Sequence, residues 1–168
     1  MRDHPKLLGN DFARRWDRRG PADGPDRPRV LIEEPDIAEA FGCWCLLADN
    51  GYEVSWCPGP VGPPTRVCPL VATGHCGLVQ HADVVVSSLG LHREASRMVV
   101  AALRRRHPET PLVVQSPQQS LVVQQAPRFE ESWGAVPMPV SCRTLLDSVA
   151  LALAGPVGAP HGDRTVGC

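Results

Sequence analysis

A short apolar strand leads directly into a helix in the stretch Arg29-Val-Leu-Ile-Glu-Glu-Pro-Asp-Ile37. The apolar run at 30–32 is typical of a strand that is buried on both faces of a parallel sheet. Asp36 can cap the helix that follows, because its carboxylate can accept the free amide hydrogens of the first turn. The residues of that helix that recur with the helical period, and that we expect to be buried, are Ile37, Phe41, Trp44, Leu47 and Ala48.

The same alternation of strand and helix continues along the chain. The helix predicted over 91–106 has an apolar stripe of Ala95, Met98, Val99 and Ala102. The last predicted helix starts at Ser141, which can cap it, and directs Leu145, Leu146, Val149 and Leu153 inward. A short helix is predicted over 118–125. The remaining strands are predicted at Tyr52 to Trp56, Asp83 to Ser87, Pro111 to Gln115 and Val136 to Met138.

Five strands that alternate with helices predict an α/β fold with a parallel sheet and helices on both faces. Right-handed crossovers favour the flavodoxin-like strand order 2-1-3-4-5. A nucleotide-binding Rossmann half is the competing fold, but no Gly-x-Gly-x-x-Gly follows the first strand. The turn at 33–36 is Glu-Glu-Pro-Asp, and its carboxylates would repel a phosphate group.

Composition favours one globular domain. The 168 residues are 43% hydrophobic and 21% charged, and the formal net charge of −1 gives no basic field for nucleic acid, so no direct nucleic-acid binding is expected. No apolar run approaches the roughly 18 to 20 residues that span a bilayer, and the amino terminus has no signal-peptide pattern. We therefore expect a cytoplasmic protein that makes no membrane contact.

Breaker residues divide the chain into a flexible segment at 1–28, a domain at 29–154 and a disordered tail at 155–168. The domain carries an insert rich in Cys, Pro and Gly at 57–81. In the first segment, three apolar residues lie on one helical face at i, i+4 and i+8, namely Leu8, Phe12 and Trp16. They predict either an amphipathic turn that rests on the domain or a helix that docks on a partner.

The first strand-helix unit, Gly51-Tyr-Glu-Val54 and the ending at 137–149 together resemble the response-regulator receiver domain. The resemblance covers roughly 29–154 and implies a signalling module. Receivers phosphorylate an aspartate at the end of the third strand, beside acidic residues that hold magnesium. They also end the fourth strand with Thr or Ser and the fifth with Lys before Pro.

The resemblance places Glu33 and Glu34 at the acidic pair and Ser116 at the hydroxyl position, but it places Ser88 at the phosphate acceptor and Met138 at the lysine. A serine without a neighbouring base does not replace a carboxylate nucleophile, and a thioether carries no charge. The resemblance therefore implies a degenerate phosphorylation pocket. The simpler alternative for Glu33 and Glu34 is a solvated acidic pair at the end of the strand. For Ser88 and Ser116 it is ordinary hydrogen bonding to nearby backbone.

Three cysteines of the insert, Cys57, Cys68 and Cys76, are separated by ten and seven residues. They could bind one zinc ion with His75 or His81 as the fourth ligand, because zinc accepts thiolate and imidazole. Strong zinc sites show paired Cys-x2-Cys motifs, and the insert has none. Redox-active or disulfide-forming thiols and a purely structural loop are the alternatives.

No sequence motif of a hydrolase nucleophile, a metalloprotease or a phosphate-binding loop is present. We therefore expect a non-enzymatic pseudo-receiver, without a cofactor other than the zinc considered above. By the resemblance, it would contact a protein partner or a second copy through the region 118–149. One alternative is a metal- or redox-sensing protein that uses the cysteine insert. Another is a small enzyme with a ligand near Glu33, Ser88 and Ser116 at the carboxyl ends of the strands.

Overall fold

The structure is a computed structural model of the chain, and it describes residues 27–60, 67–116, 133–137 and 141–155. The described chain forms a parallel sheet of order β2-β1-β3-β4-β5. The strands are β1 Arg29–Glu33, β2 Glu53–Cys57, β3 Val84–Ser87, β4 Leu112–Ser116 and β5 Trp133–Pro137. The helices are α1 Ile37–Asp49, α2 Pro69–Thr73, α3 Gly77–Gln80, α4 Glu94–Arg106 and α5 Cys142–Ala154.

The order of the first four strands, β2-β1-β3-β4, is the one that the sequence predicts. The fifth strand was expected at 136–138, whereas the structure has it at Trp133–Pro137, in parallel register beside β4. For β5 the structure describes the backbone but not the side chains. The register of β1 places Glu33 opposite Cys57 of β2 on one side and Ser87 of β3 on the other.

Two apolar layers cover the two faces of the sheet. One layer joins alternate strand residues to α1 and α5, and its buried members are Val30, Ile32, Leu47, Val84, Val86, Val113, Leu145 and Val149. The other joins the intervening strand residues to α2, α3 and α4, with Leu31, Leu70, Val79, Val85, Leu89, Leu91, Val99, Val100, Ala102, Leu103, Leu112 and Val114. Helices on both faces explain why the strands are continuously apolar.

Helix α1 lies in a different rotation from the one predicted. Leu47 is buried as expected, but Ile37 is 55% exposed, and Phe41 and Trp44 are only half-buried. Ala40, which the predicted stripe does not include, is buried instead, with 3% of its surface exposed. Trp44 contacts β2, where its indole Nε1 donates a hydrogen bond to the backbone oxygen of Val54 at 3.3 Å.

Helix α4 differs in a similar way. It begins at Glu94 rather than at residue 91, and Ala95 and Met98 of the predicted stripe are exposed. The buried side consists of Ser96, Val99, Val100, Ala102 and Leu103. Neighbouring helical residues differ by about 100° in direction. The observed buried face is therefore rotated about the helix axis from the predicted face by less than the angle between two neighbouring residues.

The predictions of the helix caps are confirmed. Asp36 accepts hydrogen bonds from the amides of Ala38 and Glu39 at 2.8 and 3.1 Å. Ser141 accepts one from the amide of Thr144 at 3.0 Å and so caps α5. In that helix Leu145 and Val149 are buried, and the other two predicted residues, Leu146 and Leu153, pack against the same layer.

The insert adds to the core more than the sequence suggested. Its two short helices, α2 and α3, bury Leu70 and Val79 in the layer that also holds α4. The predicted flexible segment 1–28 and tail 155–168 lie almost wholly outside the described residues, as does the short helix predicted over 118–125. Among the described helices, no segment has the length and apolar character that crossing a membrane requires.

Candidate degenerate receiver site

Polar side chains gather at the carboxyl ends of three neighbouring strands. Glu33 ends β1, Ser87 ends β3, and Gln115 lies one residue before the end of β4. Glu34 and Ser88 directly follow β1 and β3. The amide of Ser88 donates a hydrogen bond to the backbone oxygen of Glu33 at 2.9 Å, so β1 and β3 remain paired up to this edge.

Glu33 is the most buried charged residue of this group, with 3% of its surface exposed. Its side chain lies on the face of the sheet covered by the insert and α4, because it follows Leu31 by two positions. Burial raises the pKa of Glu33 to about 7, and the nearby Ser87 hydroxyl lowers it in part. Neither Glu33 Oε2 nor Ser87 Oγ has a hydrogen-bond partner of good geometry among the described residues.

Glu34 is held by its neighbours on both its side chain and its backbone. Its Oε1 accepts a hydrogen bond from the amide of Asp36 at 2.8 Å, and its backbone oxygen accepts one from the indole of Trp56 at 2.7 Å. Burial raises the pKa of Glu34, and the Asp36 amide and the Ser88 hydroxyl offset part of that rise. Both glutamates are buried, so the solvated acidic pair considered from the sequence is wrong.

Ser88 bonds to a side chain rather than to nearby backbone. Its Oγ donates a hydrogen bond to Oε1 of Gln115 at 2.9 Å, which links the ends of β3 and β4. The sequence prediction missed Gln115, although it is the one polar residue among the buried residues Leu112 to Gln115, and that break in the apolar pattern was the available signal. The side chain of Ser116 and all of Met138 lie outside the described residues.

These side chains do not form the magnesium site of a receiver. Magnesium needs several hard oxygen ligands, whereas the described residues contain no group of three His, Cys, Asp or Glu that could hold a metal ion. The raised pKa of Glu33 also keeps a large fraction of its carboxyl group protonated near neutral pH. The residues present therefore do not fit the ion.

The three insert cysteines lie beside this site, at the margin of the layer that holds α4. Burial, with a smaller contribution from the charge of Glu33, raises the pKa of Cys57 to about 12. Burial likewise raises the pKa of Cys68. All the described cysteines are free thiols.

The predicted zinc site is not assembled in the described part of the chain. Cys57, Cys68, Cys76 and His75 include no three side chains close enough to hold one ion. His75 is exposed, and its Nδ1 lies 3.4 Å from Nε2 of Gln80 instead. A bound zinc ion stays a prediction from the sequence, and this geometry does not favour it.

No family model and no curated protein matches the chain. Solved structures do match it. A putative pilus assembly protein of Burkholderia thailandensis is 21% identical and has a TM-score of 0.59, covering 76% of this chain and 98% of its own. A chemotaxis protein of Vibrio cholerae is 20% identical, with a TM-score of 0.57 and coverage of 74% and 98%.

A response-regulator receiver domain of Clostridium thermocellum is 12% identical, with a TM-score of 0.57 and coverage of 76% of this chain and 94% of its own. At identities this low, the similarity shows the fold and not the activity. Together with the order of the first four strands, it shows that this chain has the fold of response-regulator receiver domains.

Proposed function

We propose that the chain is a pseudo-receiver, a regulatory module that acts by protein contact and without aspartyl phosphorylation. The observation that carries the proposal is the hydrogen bond from Ser88 to Gln115 at the end of β3, where the receiver resemblance expects the reactive aspartate. In this proposal Trp133–Pro137 serves as the fifth strand of the receiver sheet.

The chemistry of this pair argues against phosphoryl transfer. A serine hydroxyl becomes a nucleophile when a neighbouring base removes its proton. The hydrogen bond from Ser88 goes to the neutral amide oxygen of Gln115, which cannot take up that proton, and the nearby carboxyl group of Glu34 is already held by the amide of Asp36. In addition, burial raises the pKa of Glu33 to about 7, which reduces the negative charge available to attract magnesium. These two properties support a non-enzymatic role.

The contact surface that we propose is the region 118–149. Part of it lies in α5, whose outward side carries the exposed ion pair of Arg143 and Asp147 at 3.7 Å. One turn further along that helix, just beyond the region, Leu151 is 66% exposed. An exposed mixture of charged and apolar side chains on one helix suits recognition of another protein or of a second copy of this chain.

Incubation of the purified chain with acetyl phosphate and magnesium tests the proposal. We expect intact-mass spectrometry to show no gain of one phosphoryl group on the wild-type chain or on the Ser88→Ala variant. A gain on the wild-type chain that Ser88→Ala abolishes would overturn the proposal, because it would make Ser88 a working acceptor. Such a gain in both proteins would place an acceptor elsewhere and would overturn it as well.

A further inference from the structure

An apolar stripe on α1 remains at the surface of the domain. The helical period places Ile37, Phe41, Trp44 and Ala48 within an arc of roughly 60°. Ile37 is 55% exposed, and the rings of Phe41 and Trp44 are half-buried and stack with an interplanar angle of 8° and centroids 6.4 Å apart. Two aromatic rings held in one orientation beside an exposed isoleucine form a preorganised surface for another apolar group.

The charged side chains of α1 and its cap are all acidic. Asp36, Glu39 and Asp49 are exposed, and the helix contains no Lys, Arg or His. Two of the acidic residues, Asp36 and Asp49, stand at opposite ends of α1, and both are exposed. A segment that covers the stripe would therefore gain from positive charge at its ends.

The amino-terminal segment of the same chain, which lies outside the described residues, has the complementary pattern. Leu8, Phe12 and Trp16 recur at i, i+4 and i+8, which places them on one face of a helix. The first 19 residues contain six Lys or Arg and three Asp. The basic pairs at 14–15 and 18–19 flank the tryptophan, so apolar contact and positive charge occur together.

The connection is long enough to allow contact within one chain. Ten residues separate Trp16 from Arg27, and an extended chain of that length spans at most roughly 33 to 36 Å. The described chain starts beside the edge strand that borders α1, because the backbone oxygen of Pro28 accepts a hydrogen bond from the amide of Glu53 at 2.9 Å. Helix α1 is only about 20 Å long, since each residue adds about 1.5 Å.

We propose that residues 8–16 dock as one helical face on the α1 stripe of their own chain, with Phe12 and Trp16 against Ile37, Phe41 and Trp44. The segment then shields the aromatic surface of α1 from other proteins.

The indole N–H signals in a two-dimensional ¹⁵N–¹H NMR spectrum of the full chain provide the test. Trp16 and Trp44 each give one signal, which Trp→Phe variants assign. In the wild-type chain we expect the Trp16 signal to lie away from its position in the urea-unfolded protein. Ile37→Ser should move it toward the unfolded position, and Phe12→Ser should shift the signal of Trp44. Raising the salt concentration should move the Trp16 signal in the same direction as Ile37→Ser does.

The matched control is Leu151→Ser, which also replaces an exposed apolar residue on a helix of the same sheet face. It should leave the Trp16 signal in place. The proposal is overturned if the Trp16 signal already lies at its unfolded position in the wild-type chain. It is also overturned if Ile37→Ser and Leu151→Ser move that signal equally. A Trp16 signal that shifts with protein concentration would assign the contact to a second copy and would also overturn docking within one chain.

Discussion

The hydroxyl group of Ser88 donates a hydrogen bond to Oε1 of Gln115 over 2.9 Å and so joins the carboxyl ends of β3 and β4. Gln115 is 4% exposed, and its Nε2 has no hydrogen-bond partner among the described residues. The amide therefore depends on Ser88 for a hydrogen bond that burial makes expensive to lose. Ser88 and Gln115 thus form a structural link between the two strand ends.

Removing the Ser88 hydroxyl should lower the free energy of unfolding by about 1 to 3 kcal/mol, because the Oε1 of Gln115 would lose its partner while remaining buried. Urea denaturation of Ser88→Ala measures the loss. Ser87→Ala is the matched control, since the Ser87 hydroxyl has no partner of good geometry among the described residues, and it should cost less. Equal losses in the two variants would contradict a stabilising role for the Ser88–Gln115 bond.

Glu33 should make the stability of the domain fall as pH rises. Its pKa is raised from the ordinary value of 4.5 to about 7 in the folded chain, so between these values the folded state holds a proton that the unfolded state has lost. The stabilisation that this proton gives is fully present below pH 4.5 and is lost as pH rises through 7. The loss amounts to about 3 kcal/mol.

Glu33→Gln tests this dependence, because the amide has nearly the same shape and does not ionise. Above pH 7 the variant should exceed the wild-type chain in free energy of unfolding by up to about 3 kcal/mol, and the difference should shrink toward pH 4. Denaturation curves at a series of pH values give both quantities. The exposed Glu39→Gln serves as the control, and a constant difference between wild type and Glu33→Gln at all pH values would refute the prediction.

The rotation of α4 can be tested by two truncations on the same helix. Leu103→Ala should lower the free energy of unfolding by about 2 to 5 kcal/mol, because Leu103 is 3% exposed and belongs to the core layer. Met98→Ala should cost less than about 0.5 kcal/mol, since Met98 is 49% exposed. The sequence pattern alone predicts that Met98 is buried. A large loss of stability in Met98→Ala would therefore support the helix rotation predicted from the sequence over the one in the structure.

Local signals in the sequence predicted the first four strands, the three long helices and the caps of α1 and α5, because Asp36 and Ser141 act within one turn of their own helix. They did not predict the short helices α2 and α3. The rotations of α1 and α4 were not predictable in this way. Both helices have apolar residues on two adjacent faces, and the side that faces the sheet is decided by the packing of neighbours distant in sequence.

The same distinction applies to the site. The resemblance placed Glu33, Glu34 and Ser88 at the strand ends, and the structure gathers them there. The burial of Glu33 depends on the covering side chains of the insert and α4, and the bond to Gln115 joins residues 27 positions apart. Neither relationship has a signature within a short window of sequence.

Cys57 should be a slowly reacting thiol in the native protein. Its pKa is raised from 9.0 to about 12, chiefly by burial, which makes its thiolate fraction near neutral pH about a thousandfold smaller than that of an ordinary thiol. Cys142, at the start of α5, is exposed. Brief treatment with iodoacetamide, followed by peptide mass spectrometry, should therefore modify Cys142 well before Cys57, and urea should abolish the difference. Equal rates in the native chain would contradict burial of Cys57.

A chelator should leave the order in which the cysteines react unchanged. If a chelator instead speeds the reaction of Cys57, Cys68 and Cys76 together, these three thiols hold a metal ion.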